Sequence, residues 1–408
     1  VSIKDAIYLD VNAGALLHPE VVKGLLPLLQ ENILTGNPSS IHALGRKSSR
    51  LLFEARQKVA FSLGETSYPE SLVFTSSGTE ANQLAIRSVF EPLLLNRQKP
   101  HWITTPVEHE SNLVMTEWLR ERGGEVSFLP VDNQGSPLFD ELKNIARPET
   151  ALVSAIWVNN ETGVISDIDA ATSACQKMGI PLHLDGAQAW GKLNIDLAML
   201  ARQAVSYASF APYKIGSLAG TGVFWSKKQA PVVAVLRGKH QGGRRGGTEN
   251  VSGIIAAGIA AETVASQIKL AEQQQIAEHR NRLQTLILDK ISGVTVNGAK
   301  ALRIAGTLNL CFDGIQGEGL IPALDLEGYQ VSSGSACSSG SVEVSHVLQA
   351  LGLSRELAAT AVRVSFSSQV SWPQLQGFAE ALEKVVGRMR TLKKSGDQSN
   401  ANCSIPSL

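Results

Sequence analysis

An alternation constrains this chain more than any other feature. From about residue 16 to residue 250, short apolar runs rich in β-branched and aromatic residues alternate with longer helix-patterned stretches. Leu72–Thr75, His101–Thr105, Glu125–Val131, Ala151–Asn159, Leu182–Asp185, Val205–Phe210 and Gly222–Ser226 read as strands. Between them Glu80–Leu95, Ser111–Arg122, Asp167–Met178 and Leu197–Arg202 read as helices, with Ser166 and Asp196 placed to cap the last two. Strands separated by helices are joined by right-handed crossovers, so they build a largely parallel sheet covered on both faces. Such sheets bind ligands beyond the carboxyl ends of their strands. Residues just past a strand are therefore the first candidates for chemistry.

The pattern changes after Asn250. Residues 250–291 read as one long helical region rich in Ala, Glu and Gln, with its breaks expected at Gly253 and Gly258. Strand-like Val294–Val296 and Gly306–Phe312, a helix near Glu318–Leu326 and a Ser/Gly-rich loop at Ser332–Ser341 come next. A helix at Val344–Leu351, a strand at Ala361–Ser367 and a helix at Trp372–Leu392 follow. The pattern predicts a large α/β domain over residues 16–250 and a smaller α/β domain from residues 1–15 and 251–392. Residues 393–408 are polar and aperiodic and are expected to be a disordered tail.

A chain of 408 residues can bury a large core without disulfides or a structural metal. Its 37 Lys and Arg balance 37 Asp and Glu, which argues against a nucleic acid or anionic membrane held by charge. Four cysteines with no C-x-x-C spacing argue against a disulfide scaffold and against a cysteine-rich metal site. Reduced thiols and a cytoplasmic setting are expected. Val1–Asp5 lacks the pattern of a signal peptide, and no apolar run reaches the ~18 residues of a membrane span.

Six places carry candidate chemistry. Thr75-Ser76-Ser77-Gly78-Thr79-Glu80 leaves a strand and opens a helix, which suits either a phosphate seat or an ordinary cap. Asp185 closes a strand and could pair with a ligand cation or cap the next turn. Lys214 follows another strand among apolar and aromatic neighbours, where partial desolvation would lower its pKa as imine formation requires. His109 could stack on a planar cofactor or cap a helix. Cys337 sits in the small polar loop Ser332–Gly340, unlike Cys311 in its apolar run, and is either a mobile nucleophile or an incidental thiol. The basic, Gly-rich stretch Arg237–Thr248 suits a phosphate-gripping loop better than an RNA site.

In this order along the chain, these residues resemble the pyridoxal-phosphate-dependent cysteine desulfurases of the class V aminotransferase family, the NifS/IscS-like branch. The resemblance runs from Tyr8-Leu9-Asp10 to about Phe366 and includes Gly36-Asn37-Pro38-Ser39-Ser40-Ile41-His42 and Val158-Asn159-Asn160-Glu161-Thr162-Gly163. Its most specific part is Val331-Ser332-Ser333-Gly334-Ser335-Ala336-Cys337. It implies a fold-type I homodimer, a mainly parallel seven-stranded sheet in the large domain, and pyridoxal phosphate as cofactor. Lys214 would hold the cofactor covalently, Asp185 would pair with its ring nitrogen, and His109 would stack on the ring. Asn160 and Gln188 would contact the ring oxygen, and Gly78 and Thr79 the phosphate, with Thr248 reaching in from the second subunit. Arg363, helped by Asn37, would hold the carboxylate of L-cysteine. Cys337 would take the sulfur as a persulfide and pass it to an acceptor protein such as an iron-sulfur scaffold. A lyase or aminotransferase acting on selenocysteine or cysteine sulfinate, or a non-catalytic sulfur-transfer scaffold, are the alternatives.

The sequence departs from that pattern in three places. The family usually reads Ser-Gly-His-Lys where this chain has Ala211-Pro212-Tyr213-Lys214, so a serine donor and a histidine are missing. A small, Thr-rich N-terminal stretch is replaced by Asn12-Ala13-Gly14-Ala15, and a second arginine after Arg363 by Ser368. The first departure predicts weaker cofactor binding unless another donor, Tyr213 among the candidates, compensates.

Overall fold

The computed structural model describes residues 6–267, 270–315, 317, 319–333 and 344–401. A short strand, β1 (Ile7–Tyr8), precedes the helices Pro19–Gln30 and Ala43–Ser62. Seven strands follow: β2 (Leu72–Thr75), β3 (His101–Thr104), β4 (Glu125–Phe128), β5 (Thr150–Ile156), β6 (Leu182–Asp185), β7 (Val205–Phe210) and β8 (Gly222–Ser226). They form one sheet in the order β2-β8-β7-β6-β5-β3-β4. Only β8 runs against its neighbours; the other pairs are parallel. Every residue of β2, β3, β6 and β8 is buried, as expected of strands covered on both faces. The largely parallel sheet implied by the alternation is therefore present.

A second apolar core, including Leu9, Leu283, Phe312, Val364 and Phe378, belongs to the C-terminal part of the chain. There β9 (Val294–Asn297), β10 (Thr307–Phe312) and β12 (Val362–Ser365) form an antiparallel sheet with β10 in the middle. β11 (Tyr329–Gln330) pairs in parallel with β1, so the N-terminal strand packs with the C-terminal part of the chain.

Three local expectations are corrected. Residues 250–291 hold two helices, Val251–Gln267 and Leu270–Lys290, and neither glycine breaks the first. Both glycines are there for close approach. A Cβ on Gly253 would lie 2.1 Å from Thr221 Oγ1, and one on Gly258 would lie 2.7 Å from Ala55 Cα. The cap of the Ile168–Met178 helix is Asp167, which accepts from Ala170 N, while the Ser166 hydroxyl donates to Ile156 O. The last helix runs Trp372–Ala401, past Leu392 into the tail expected to be disordered. No proline interrupts the chain between Pro373 and Pro406, and each further residue of an existing helix adds a backbone hydrogen bond.

Candidate active site

The carboxyl ends of β2, β6 and β7 open onto one small cavity of about 90 Å³. At β2 the chain turns directly into the helix Gly78–Leu95. Ser77 caps it, accepting from Glu80 N at 3.1 Å, while the Glu80 carboxylate accepts from Ser76 N at 2.6 Å. The first backbone N–H groups of a helix have no partner within it. Gly78 and Thr79, which carry two of them, line the cavity. The cap is therefore present, and the residues of the candidate phosphate seat line the cavity.

Asp185 ends β6 and is only 3% exposed. One carboxylate oxygen accepts from Ala187 N at 3.0 Å and the other from Asn82 Nδ2 at 2.8 Å. Among the described residues no cation forms a salt bridge with it, although it lines the cavity. An ionised carboxylate out of water without a counter-charge is costly. That cost fits a site built to receive a cationic nitrogen, such as a protonated pyridine ring. Lys214 lies in the single turn Pro212–Ile215 just after β7 and lines the same cavity.

His109 caps the helix Glu110–Arg120 and faces the cavity as well. Its Nδ1 accepts from Ser111 N at 3.1 Å, which assigns the proton of the neutral ring to Nε2. Burial pushes its pKa down against the pull of Asp185, so the ring is neutral and suited to stacking. Beneath it Glu108 is fully buried. It accepts from Thr105 Oγ1, Asn112 Nδ2 and Ile156 N, and burial pushes its carboxyl up to about 7. Asn160 and Gln188 complete the lining. The cavity thus gathers Gly78, Thr79, His109, Asn160, Asp185, Gln188 and Lys214 from separate parts of the chain.

An aminotransferase class-V model matches residues 7–378. The chain belongs to the class V aminotransferase family. It is 34% identical over 391 residues to the cysteine desulfurase IscS of Dictyoglomus turgidum, covering 96% of this chain and 97% of its relative. It is also 34% identical over 387 residues to the cysteine desulfurase NifS of Azotobacter vinelandii, covering 95% and 94%. A solved NifS-like protein superposes with a TM-score of 0.85 at 28% identity, covering 94% of this chain and 99% of that one.

Other residues expected of this class V chain lie outside the cavity. Arg363 on β12 is 3% exposed and holds Asp10 Oδ1 at 2.6 Å and Asn160 O at 3.1 Å, while its Nε has no partner. Asn37 is exposed, and its side chain accepts from Ser39 N. Thr248 is exposed too. Arg245 does not wait for a ligand phosphate; its guanidinium is paired with Glu80 at 3.0 Å. Arg244 donates to Gln241 O and Leu72 O. Cys337 lies outside the described residues. The described residues on either side of its segment meet the site's edge. Ser332 pairs with Arg363 through the backbone, and Ser345 Oγ donates to Glu161 Oε2 at 2.6 Å.

Two residues that sequence reasoning missed tie the site together. Gln188 Nε2 donates to Asn12 O at 2.7 Å, and Gln188 Oε1 accepts from Lys192. Lys192 also donates to Asn12 Oδ1 at 3.1 Å. Asn12 in turn reaches Thr307 Oγ1 and Asn160 O through Nδ2, and Ser365 Oγ through its backbone N–H. The Gly191-Lys192 pair after the Asp185 turn was the available signal, but a lysine in a loop reads as solvated. Among the described residues no His, Cys, Asp and Glu cluster could hold a metal, and no helix is long and apolar enough to cross a membrane.

Proposed function

We propose that this protein is a pyridoxal-phosphate-dependent cysteine desulfurase, which converts L-cysteine to L-alanine and a persulfide on Cys337. One observation carries the reading: Lys214, the carboxylate of Asp185 and a helix N-terminus converge on one cavity in a chain whose full-length relatives are named cysteine desulfurases.

The residues present fit the cofactor. The N–H groups of Gly78 and Thr79 would receive the phosphate, Asp185 the ring nitrogen, and the second N–H of Gln188 Nε2, with Asn160, the ring oxygen. Bound covalently to Lys214, pyridoxal phosphate would supply an electron sink for charge developing on the substrate's α-carbon. The remaining steps fall to the chain's own residues. Arg363 would take the substrate carboxylate through donors that Asp10 and Asn160 leave open, Nε among them. The Lys214 amine would remove the α-proton as a general base. The Cys337 thiolate attacks the γ-sulfur, forming an S–S bond as the Cβ–S bond breaks. A proton would then replace the sulfur on the β-carbon and Lys214 would return a proton to the α-carbon, which gives alanine. Cys337 would carry the persulfide to an acceptor protein, such as an iron-sulfur scaffold, in the reducing cytoplasm.

The working form would be a homodimer in which Thr248 completes the phosphate seat of the second subunit. Its exposure and its absence from the cavity lining of its own chain support this. Borohydride treatment of the yellow protein should fix the cofactor on the peptide containing Lys214. Incubation with cysteine should leave an extra sulfur on Cys337 by mass spectrometry. Cofactor on another lysine, or alanine formed without a persulfide, would favour a lyase of the same family instead.

A further inference from the structure

A second, larger cavity of about 380 Å³ opens where the N-terminal segment meets both parts of the molecule. That volume falls in the range of small-molecule sites, roughly 300–1,000 Å³. Lys214 is the one residue its lining shares with the cofactor cavity. Trp190, Val264, Ile276 and Ile304 give it an apolar side, and polar residues such as Asn12, Gln273 and Gln374 line the rest.

Lys192 lines this cavity. Its amine donates to two neutral oxygens, Asn12 Oδ1 and Gln188 Oε1, and among the described residues no carboxylate pairs with it. An ammonium has a third N–H, for which the described residues show no acceptor. Burial, and after it the positive charges of Lys214 and Arg363, push Lys192 down to about 7. An uncompensated cation beside an apolar cavity is the arrangement that an anionic group with a hydrocarbon tail would satisfy.

We propose that this cavity is a second binding site, distinct from the cofactor pocket, for a small monocarboxylate with an apolar tail. The carboxylate pairs with Lys192 and the tail lies against Trp190 and Ile276. The charged and titratable groups around Lys192 are Lys214 on the turn after β7 and Arg363 on β12, which is paired with Asp10. His18, Glu272 and Tyr8 lie on the cavity's other walls. The ligand binds the ammonium form of Lys192. Burial, the larger cause of that shift, is present in the cofactor-loaded protein too, so affinity is full at low pH and falls as pH rises and Lys192 loses its proton, with proton uptake on binding.

Calorimetry on the cofactor-loaded protein with hexanoate, and with uncharged hexanamide, tests this. Hexanoate should bind at least tenfold more tightly than hexanamide at pH 6.5 and lose that advantage by pH 8.5. Lys192→Met should abolish the preference for acid over amide. Ser368→Arg, which places a long side chain at the cavity wall, should block both ligands and leave the cofactor's visible absorbance unchanged. Hexanoate that still binds Ser368→Arg, or is displaced by cysteine, occupies the substrate site and overturns the proposal. So does the absence of binding, or equal binding of acid and amide. These readouts do not depend on desulfurase activity, so the protein could prove to be a lyase and the second site would still stand or fall by itself.

Discussion

The Tyr213 ring lies directly over Gly14. A Cβ built on Gly14 would sit 3.3 Å from the ring carbons Cδ2 and Cε2. Two departures from the family pattern therefore meet in space: the tyrosine before Lys214 is accommodated by the glycine in the N-terminal stretch. Each alone reads as an anomaly, and together they read as one substitution of shape.

That contact makes Gly14→Thr and Tyr213→His interdependent. Gly14→Thr alone should crowd the ring at a cost of about 1–3 kcal/mol and weaken cofactor binding. Adding Tyr213→His should recover most of the loss, because directly touching residues couple. Titration of the cofactor-free proteins with pyridoxal phosphate, read by absorbance, gives the four affinities. Strict additivity would show that the contact has no energetic consequence.

Ala211 faces the phosphate seat across a narrow gap, with its Cβ 3.2 Å from where a Cβ on Gly78 would be. A hydroxyl on that carbon would reach the seat. A hydrogen bond to a charged group contributes about 1.5–3 kcal/mol, and about 1.4 kcal/mol is tenfold in affinity. Ala211→Ser should thus tighten pyridoxal phosphate binding roughly ten- to a hundredfold in the same titration. An unchanged affinity would mean that another donor, Tyr213 foremost, already does this work. Tyr213→Phe would then weaken binding.

Glu108 should make the protein less stable as pH rises. Its folded carboxyl is pushed up to about 7, while its unperturbed value is near 4.5, so the folded state holds the extra proton between those values. Stability is lost over that window and stays lost above it, by about 3 kcal/mol at most. Glu108→Gln removes the penalty and can donate to Asn112 Oδ1, which has no partner. The variant should melt close to wild type at pH 4.5 and several degrees higher at pH 8. A melting difference that does not vary with pH would rule out titration of this group.

The cysteines should separate cleanly. Burial pushes Cys175 up to about 12 and Cys311 up to about 11, so both stay protonated and unreactive at neutral pH. Neither should react with iodoacetamide in the native protein. Cys337→Ser should abolish sulfide release from cysteine while keeping the cofactor's spectrum, and Cys175→Ser should alter release far less. Sulfide release that survives Cys337→Ser would remove that residue from the reaction.

Much of this was legible in the chain because the relevant signals are local. β2, β6, β7 and β8 lie where their mostly apolar runs do, as suits strands buried on both faces, and a polar residue such as His183 is accommodated by pairing with Ser209 on the next strand. Asp185, Lys214 and the Ser77 turn were marked by standing just past such strands. Boundaries decided by competition between neighbours were less legible. Ser166 and Asp167 can both cap, and Asp167 does because the Ser166 hydroxyl is committed to Ile156 O. The roles of Lys192, Asn12 and Glu108 were not legible. Their roles arise from contacts such as Lys192 with Asn12, 180 residues apart, and Glu108 with Ile156, 48 residues apart. The pairing of Gly14 with Tyr213 is hidden for the same reason.

The clasp at Asn12 also orders events during synthesis. This residue leaves the ribosome before its partners, and its links to Gln188 and Lys192 become available once β6 and the turn after it have been made. Its other anchors, Thr307 Oγ1 and Ser365 Oγ, lie 295 and 353 residues downstream. A nascent chain that has completed all seven strands of the sheet still has a loose N-terminal strap over its lysines. Truncation anywhere before β12 should leave an open, leaky pocket, so completion of β12 decides when the Asn12 segment becomes part of the catalyst.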